Sequence, residues 1–162
     1  VSAIIDLQIA TTSKVIPTLD NVQLWLDTVL LHQNLTQQEI TVRIVDIKES
    51  QALNCEFRGK DSPTNVLSFP FEMPDIVFQS DVSELDEMPA FLGDLVICSQ
   101  VVETEAKQQN KQNLDHWAHM IIHGCLHLLG FDHIEEAEAN EMEAIEIAIL
   151  KQLSIDDPYQ DH

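Results

Sequence analysis

Residues 123–133 read HGCLHLLGFDH, three histidines spaced by four and then six residues. On a helix, His123 and His127 leave the same face one turn apart, so one helix offers two imidazoles to one metal ion. Gly130 falls where such a helix would stop, because glycine takes the left-handed conformation that turns the chain back. His133 follows three residues later and can return as a third ligand. Three neutral imidazoles suit zinc, one ion per chain, and leave a fourth position for water, which marks a catalytic site rather than a structural one. A lone i,i+4 histidine pair is more often an ordinary surface or core feature; the glycine and the third histidine shift that balance.

The same offsets occur in the metzincin metalloproteases. Those enzymes carry a glutamate directly after the first histidine, as the base that activates the metal-bound water. Here that position is Gly124. The ligand set is present and the usual base is missing.

Outward from this stretch, the 162 residues suffice for one domain with a real core, read as a single hydrolase domain over 1–155 and an acidic tail over 156–162. No run is long and apolar enough to span a membrane. The chain opens on Val1 with no basic, hydrophobic leader, and Cys55, Cys98 and Cys125 are scattered and odd in number. They read as buried thiols of a reducing compartment, so the cytoplasm is expected. Twenty-eight acidic residues against 8 basic ones give a net charge of −20. Such a chain repels nucleic acid at long range, since non-specific affinity comes from Lys and Arg neutralising phosphates.

Residues 3–10 mix β-branched and polar side chains and read as a first strand. Thr18 or Asp20 can cap a helix running to about Leu31. Residues 40–46, ITVRIVD, alternate apolar and polar as a strand does. A short helix over 49–57 should end at Gly59. Residues 65–71, NVLSFPF, read as an edge strand, because Pro70 cannot donate to a ladder. Residues 72–90 read as a mobile loop, and 92–98 as a buried strand. Ser99 can cap the next helix, and another runs over 114–129 with the histidine pair. A last helix spans 135–153 with Met142, Ile145 and Ile149 inward. Its six glutamates, Glu135, Glu136, Glu138, Glu141, Glu143 and Glu146, read as a solvated face, and 156–162 as a frayed tail. Strands interleaved with helices give an α+β (α/β-like) layer structure.

Three segments together resemble the YbeY family of bacterial endoribonucleases, also called rRNA maturation factors: RGKDSPTNVLSFPF (58–71), LGDLVI (92–97) and HMIIHGCLHLLGFDH (119–133). The resemblance implies a single-domain metal-dependent hydrolase with a small four-stranded mixed sheet packed with about five helices. The metal site would sit on a helix and the turn after it. It also implies cleavage of single-stranded RNA, in processing of the end of the small-subunit ribosomal RNA and in ribosome quality control. His123, His127 and His133 match the family's zinc ligands, and Arg58 its functionally important arginine.

Arg58 also has a physical case. RNA cleavage places extra negative charge on a pentacoordinate phosphorus, and a guanidinium can bind phosphate oxygens in bidentate fashion. With so few cations in the chain, Arg58 and Lys60 stand out. Arg58 and His123 are the expected catalytic residues. His119, one turn before His123, and Asp132, beside the third ligand, are candidates for a supporting or substrate-facing role. Cys125 is read as a core thiol.

Two other readings compete with a ribonuclease: a metzincin-like peptidase, which the missing glutamate disfavours, and a non-catalytic ribosome-associated protein stabilised by zinc. The expected partners are single-stranded and ribosomal RNA, plus a basic ribosomal protein or assembly factor that delivers the substrate. Neither membrane nor DNA is expected.

Overall fold

Alternation along the segment Gln38–Val45 buries Ile40, Val42 and Ile44 completely and leaves Thr41 and Arg43 half-covered on the other face. One face of that strand therefore carries the core, and the rest of the molecule is laid against it. The computed structural model describes residues 3–71, 90–131 and 135–159. In chain order its elements are β1 (Ile4–Ala10), α1 (Leu19–His32), β2 (Gln38–Val45), α2 (Ile47–Arg58), β3 (Val66–Pro70) and β4 (Ala90–Cys98). Three helices complete it: α3 (Ser99–Gln108), α4 (Asn113–Leu128) and α5 (Glu136–Gln152).

The sheet order is β1-β2-β4-β3. Strands β1, β2 and β4 run parallel, with Leu7 opposite Val42 and Val42 opposite Leu95. Strand β3 is antiparallel to β4 and forms an edge, which is where a strand can tolerate Pro70. This is the expected α+β architecture, a four-stranded mixed sheet with five helices among the described residues. The expected loop over 72–90 lies outside the described residues except for Ala90, which opens β4.

Local chemistry sets the helix ends. Thr18 and Asn21 form a reciprocal capping box at the start of α1. Gly59 ends α2 with a φ of 70°, the left-handed turn expected of it. Ser99 does not cap α3. It is the first residue of that helix, buried, and its hydroxyl donates to the Val45 carbonyl at 3.3 Å. Asp46 precedes α2 and accepts from Gln100 Nε2 at 2.7 Å, from Thr11, and from the Thr12 backbone at 3.1 Å. Those bonds, Gln100's foremost and then Thr11's, hold its carboxyl at about 2.

Helix α4 is the middle of the molecule. Trp117, Ile121, Ile122 and Leu126 are fully buried against the sheet and the neighbouring helices. A helix apolar on nearly all sides must be enclosed on all sides. The stripe that it shows to the surface is therefore narrow, and His123 and His127 lie on it, each half-buried.

Candidate metal centre

His119, His123 and His127 follow one another at intervals of four on α4 and so share one stripe. The Nε2 atoms of His123 and His127 are 3.1 Å apart. A tetrahedral ion with bonds of about 2.0–2.1 Å holds two nitrogen ligands roughly 3.3 Å apart. The two rings thus converge as a metal pair would.

Behind them stands Glu146 of α5, fully buried. Its Oε1 accepts from His123 Nδ1 at 2.6 Å, and its Oε2 accepts from His119 Nε2 at 2.8 Å and from the Tyr159 hydroxyl. Burial alone would raise this carboxyl, but the hydrogen bonds from His119 and His123 outweigh it and hold the group at about 2. An ionised carboxylate only accepts, so His123 turns Nδ1 as a donor toward Glu146, and its Nε2 is the atom that faces His127 Nε2. Burial pushes His119 below the ordinary histidine range against the pull of Glu146, which favours its neutral form.

His119, His123 and Glu146 also offer three ligand-type atoms within 4.8 Å of one another. Two facts favour the pair His123–His127 over that trio. Glu146 is already engaged by the protons of both rings, and His119 is only 7% exposed and does not line the cleft that His123 and His127 face. An ion with an open position must meet that cleft.

The cleft has a volume of about 790 Å³ and is lined by Phe57, Arg58, Asn65, Ser68, His123 and His127, among others. Arg58 ends α2 and is exposed there. The loop that follows is pinned back on α2: Asn54 Nδ2 donates to the Ser62 carbonyl at 2.8 Å, and the Thr64 backbone N–H donates to Ser50 Oγ at 3.0 Å. Asn65, at the cleft's edge, donates to Glu105 at 3.2 Å, and His116 Nε2 lies 3.0 Å from the same carboxylate. One half-buried carboxylate therefore ties the residue before β3, α3 and α4 together.

The structure brings Arg58, His123 and His127 to one cleft. It sets His119 behind His123, outside the residues that line that cleft. Lys60 is exposed and does not line the cleft. His133 and Asp132 lie outside the described residues. Cys125 is fully buried, which pushes its thiol up to about 12 and leaves it inert as a nucleophile.

Besides Ser99, three expectations are corrected. Cys55 is exposed on α2, not a buried thiol like Cys98 and Cys125. Glu146 is not part of a solvated glutamate face; it falls four residues after Met142 and three before Ile149, on the buried stripe of α5. That spacing was the available signal. Residues 156–159 are not a frayed tail, because Tyr159 is bonded to Glu146; 160–162 lie outside the described residues.

Gly124 has a structural reason. A Cβ there would lie 2.8 Å from Leu95 Cδ2 and 3.1 Å from Val66 Cγ2. Ser68 Oγ also donates to the Gly124 carbonyl at 3.1 Å. The residue faces the sheet, so a metzincin-type glutamate would be driven into β3 and β4.

An α+β chain with a histidine cluster over a buried carboxylate is a scaffold able to hold a metal in an open cleft. Comparison with known proteins gives the family. A model of the endoribonuclease YbeY family matches residues 8–154. Endoribonuclease YbeY of Colwellia psychrerythraea is 52% identical over 159 residues, covering 96% of each chain. The solution structure of TM1509 from Thermotoga maritima shares the fold, with a TM-score of 0.56, 23% identity and 92% of each chain covered. The chain belongs to the endoribonuclease YbeY family, a family of RNA-cleaving hydrolases.

Proposed function

We propose that this chain is a zinc-dependent, single-strand-specific endoribonuclease. In this reading it matures the end of the small-subunit ribosomal RNA and serves ribosome quality control in the cytoplasm. The hydrolase domain, expected over 1–155, extends at least to Tyr159, whose hydroxyl reaches Glu146. The observation that carries the reading is that His123 Nε2 and His127 Nε2 converge beside a cleft that also contains Arg58.

His123, His127 and His133 would hold the zinc, which when bound would supply a Lewis acid for a phosphate oxygen or a water of lowered pKa. The chain's own residues do the rest. Glu146 fixes the tautomer and angle of His123. Arg58 offers a planar fork to the non-bridging phosphate oxygens, where charge grows as phosphorus becomes pentacoordinate. Phe57, beside it, is 59% exposed and braced edge-on by Phe69, with ring centroids 5.2 Å apart. An unpaired base can stack on such a ring, whereas a base within a duplex cannot reach it. That favours single-stranded substrate.

The net charge of −20 implies weak, weakly salt-dependent binding of free RNA, since few phosphates can be neutralised. Delivery by a basic ribosomal protein or assembly factor fits the exposed glutamates of α5, because opposite charge steers association. Against a peptidase stands Gly124, with no room for a base.

The test is to incubate the purified chain with single-stranded RNA, duplex RNA and casein, each with and without a chelator. Chelator-sensitive cleavage of single-stranded RNA alone is expected. Casein cleavage, or RNA cleavage indifferent to chelator, overturns the reading.

A further inference from the structure

The end of the chain returns to the metal centre. After α5, Ser154 takes a left-handed φ of 62° and reverses the backbone. Leu153 and Ile155 then pack against the core, and the Ile155 N–H donates to the Leu150 carbonyl at 2.9 Å. The Tyr159 N–H donates to Asp157 Oδ1 at 2.8 Å. The Tyr159 hydroxyl reaches Glu146 Oε2 and lies 3.2 Å from His119 Nε2, and its ring stands edge-on to His119 with centroids 5.4 Å apart.

Tyr159 is oriented against habit. A tyrosine usually buries its ring and wets its hydroxyl. Here the residue is 45% exposed, while the hydroxyl bonds a carboxylate that has no exposure at all. Little apolar burial is gained, so the hydroxyl contact is what the placement secures. Its effect on Glu146 follows from counting donors. Oε1 takes one, from His123; Oε2 takes two, from His119 and Tyr159. Two donors converging on Oε2 stop the carboxylate from rotating and so fix Oε1 against His123.

We propose that Tyr159 is a positioning residue for the metal site: through Glu146 it holds His123 with Nε2 directed at the cleft. This rests on the reading of His123 and His127 as metal ligands.

The test is the zinc affinity of the full chain, measured by competition with a chromophoric chelator. Tyr159→Phe keeps the ring and removes only the hydroxyl. Affinity should fall roughly 3- to 10-fold, less than the roughly 10- to 100-fold typical of groups bonded directly to a ligand. The metal-free chain should lose some melting temperature, since a hydrogen bond to a buried carboxylate is removed, and excess zinc should restore RNA cleavage. In a Glu146→Gln background, adding Tyr159→Phe should cause no further loss, because the two act in series. Unchanged affinity in Tyr159→Phe, with or without a lower melting temperature, overturns the proposal. So does an equal loss in both backgrounds. A wild-type chain that binds no zinc overturns the ligand reading itself, a result distinct from either.

Discussion

Glu146 Oε1 accepts from His123 Nδ1 at 2.6 Å across 23 residues of sequence, linking the last helix to the first histidine of the pair. The carboxylate has no exposure and serves two rings, so its removal acts on both fold and site.

Glu146→Ala strands two buried N–H groups. Each unsatisfied donor costs about 1–3 kcal/mol, partly offset by relief from burying a charge. Urea unfolding should show a net loss of about that size for one donor, and zinc affinity should drop roughly 10- to 100-fold. Wild-type zinc affinity in this variant would mean that the carboxylate does not orient His123.

His127→Ala or His123→Ala should abolish stoichiometric zinc, because the remaining ligands cannot hold the ion. Elemental analysis decides it. One tightly held zinc per chain in His127→Ala would move the site to His119, His123 and Glu146.

Arg58→Ala should leave melting temperature and zinc content unchanged, since the side chain is exposed at a helix end. RNA cleavage should fall by roughly 2–4 kcal/mol of transition-state stabilisation, as when an oxyanion donor is lost. Lysine should rescue only in part, lacking the planar fork. Phe57→Ala should instead raise KM and leave kcat nearly intact. Wild-type cleavage by Arg58→Ala would remove the arginine from the site.

Gly124→Glu should not create a peptidase. Overpacking costs roughly 1–3 kcal/mol, and a charge forced against Leu95 and Val66 costs more. A large drop in melting temperature and no casein cleavage are expected. A stable variant that cuts casein would show that position 124 can reach the cleft after all.

Asp46 gives a pH signature. Its folded carboxyl sits at about 2, below an unfolded value of about 3.9. A depressed pKa adds stability above the unfolded value, and that stability is lost as pH falls toward the folded one. The melting-temperature gap between wild type and Asp46→Asn should therefore be constant above about pH 5 and close between about pH 4 and 2. A gap unchanged across that window would show that the Gln100 and Thr11 bonds do not hold the ionised form.

How much of this was legible in the sequence depends on how local the cause was. The strand at β2 and the stop at Gly59 are written in neighbouring residues and were read correctly; for the cap of α1 both Thr18 and Asp20 were candidates, and Thr18 is the one, with Asn21 completing a box that was not foreseen. Ser99 was misread because its hydroxyl answers to Val45, 54 residues away. Glu146 was hidden among four other glutamates of α5, and only its register with Met142 and Ile149 sets it apart. Tyr159 carried no periodic signal in a short acidic tail. The reason for Gly124 lies in how closely α4 approaches β3 and β4, which no stretch of sequence displays.

The placement of Glu146 also sets an order of events during synthesis. A chain leaves the ribosome amino end first, so Arg58, His123 and His127 emerge before the carboxylate that bonds His123, and Tyr159 follows 13 residues after that. A nascent copy thus carries its cleft unfinished while it is still held beside ribosomal RNA. The support of His123 waits on residues translated well after it.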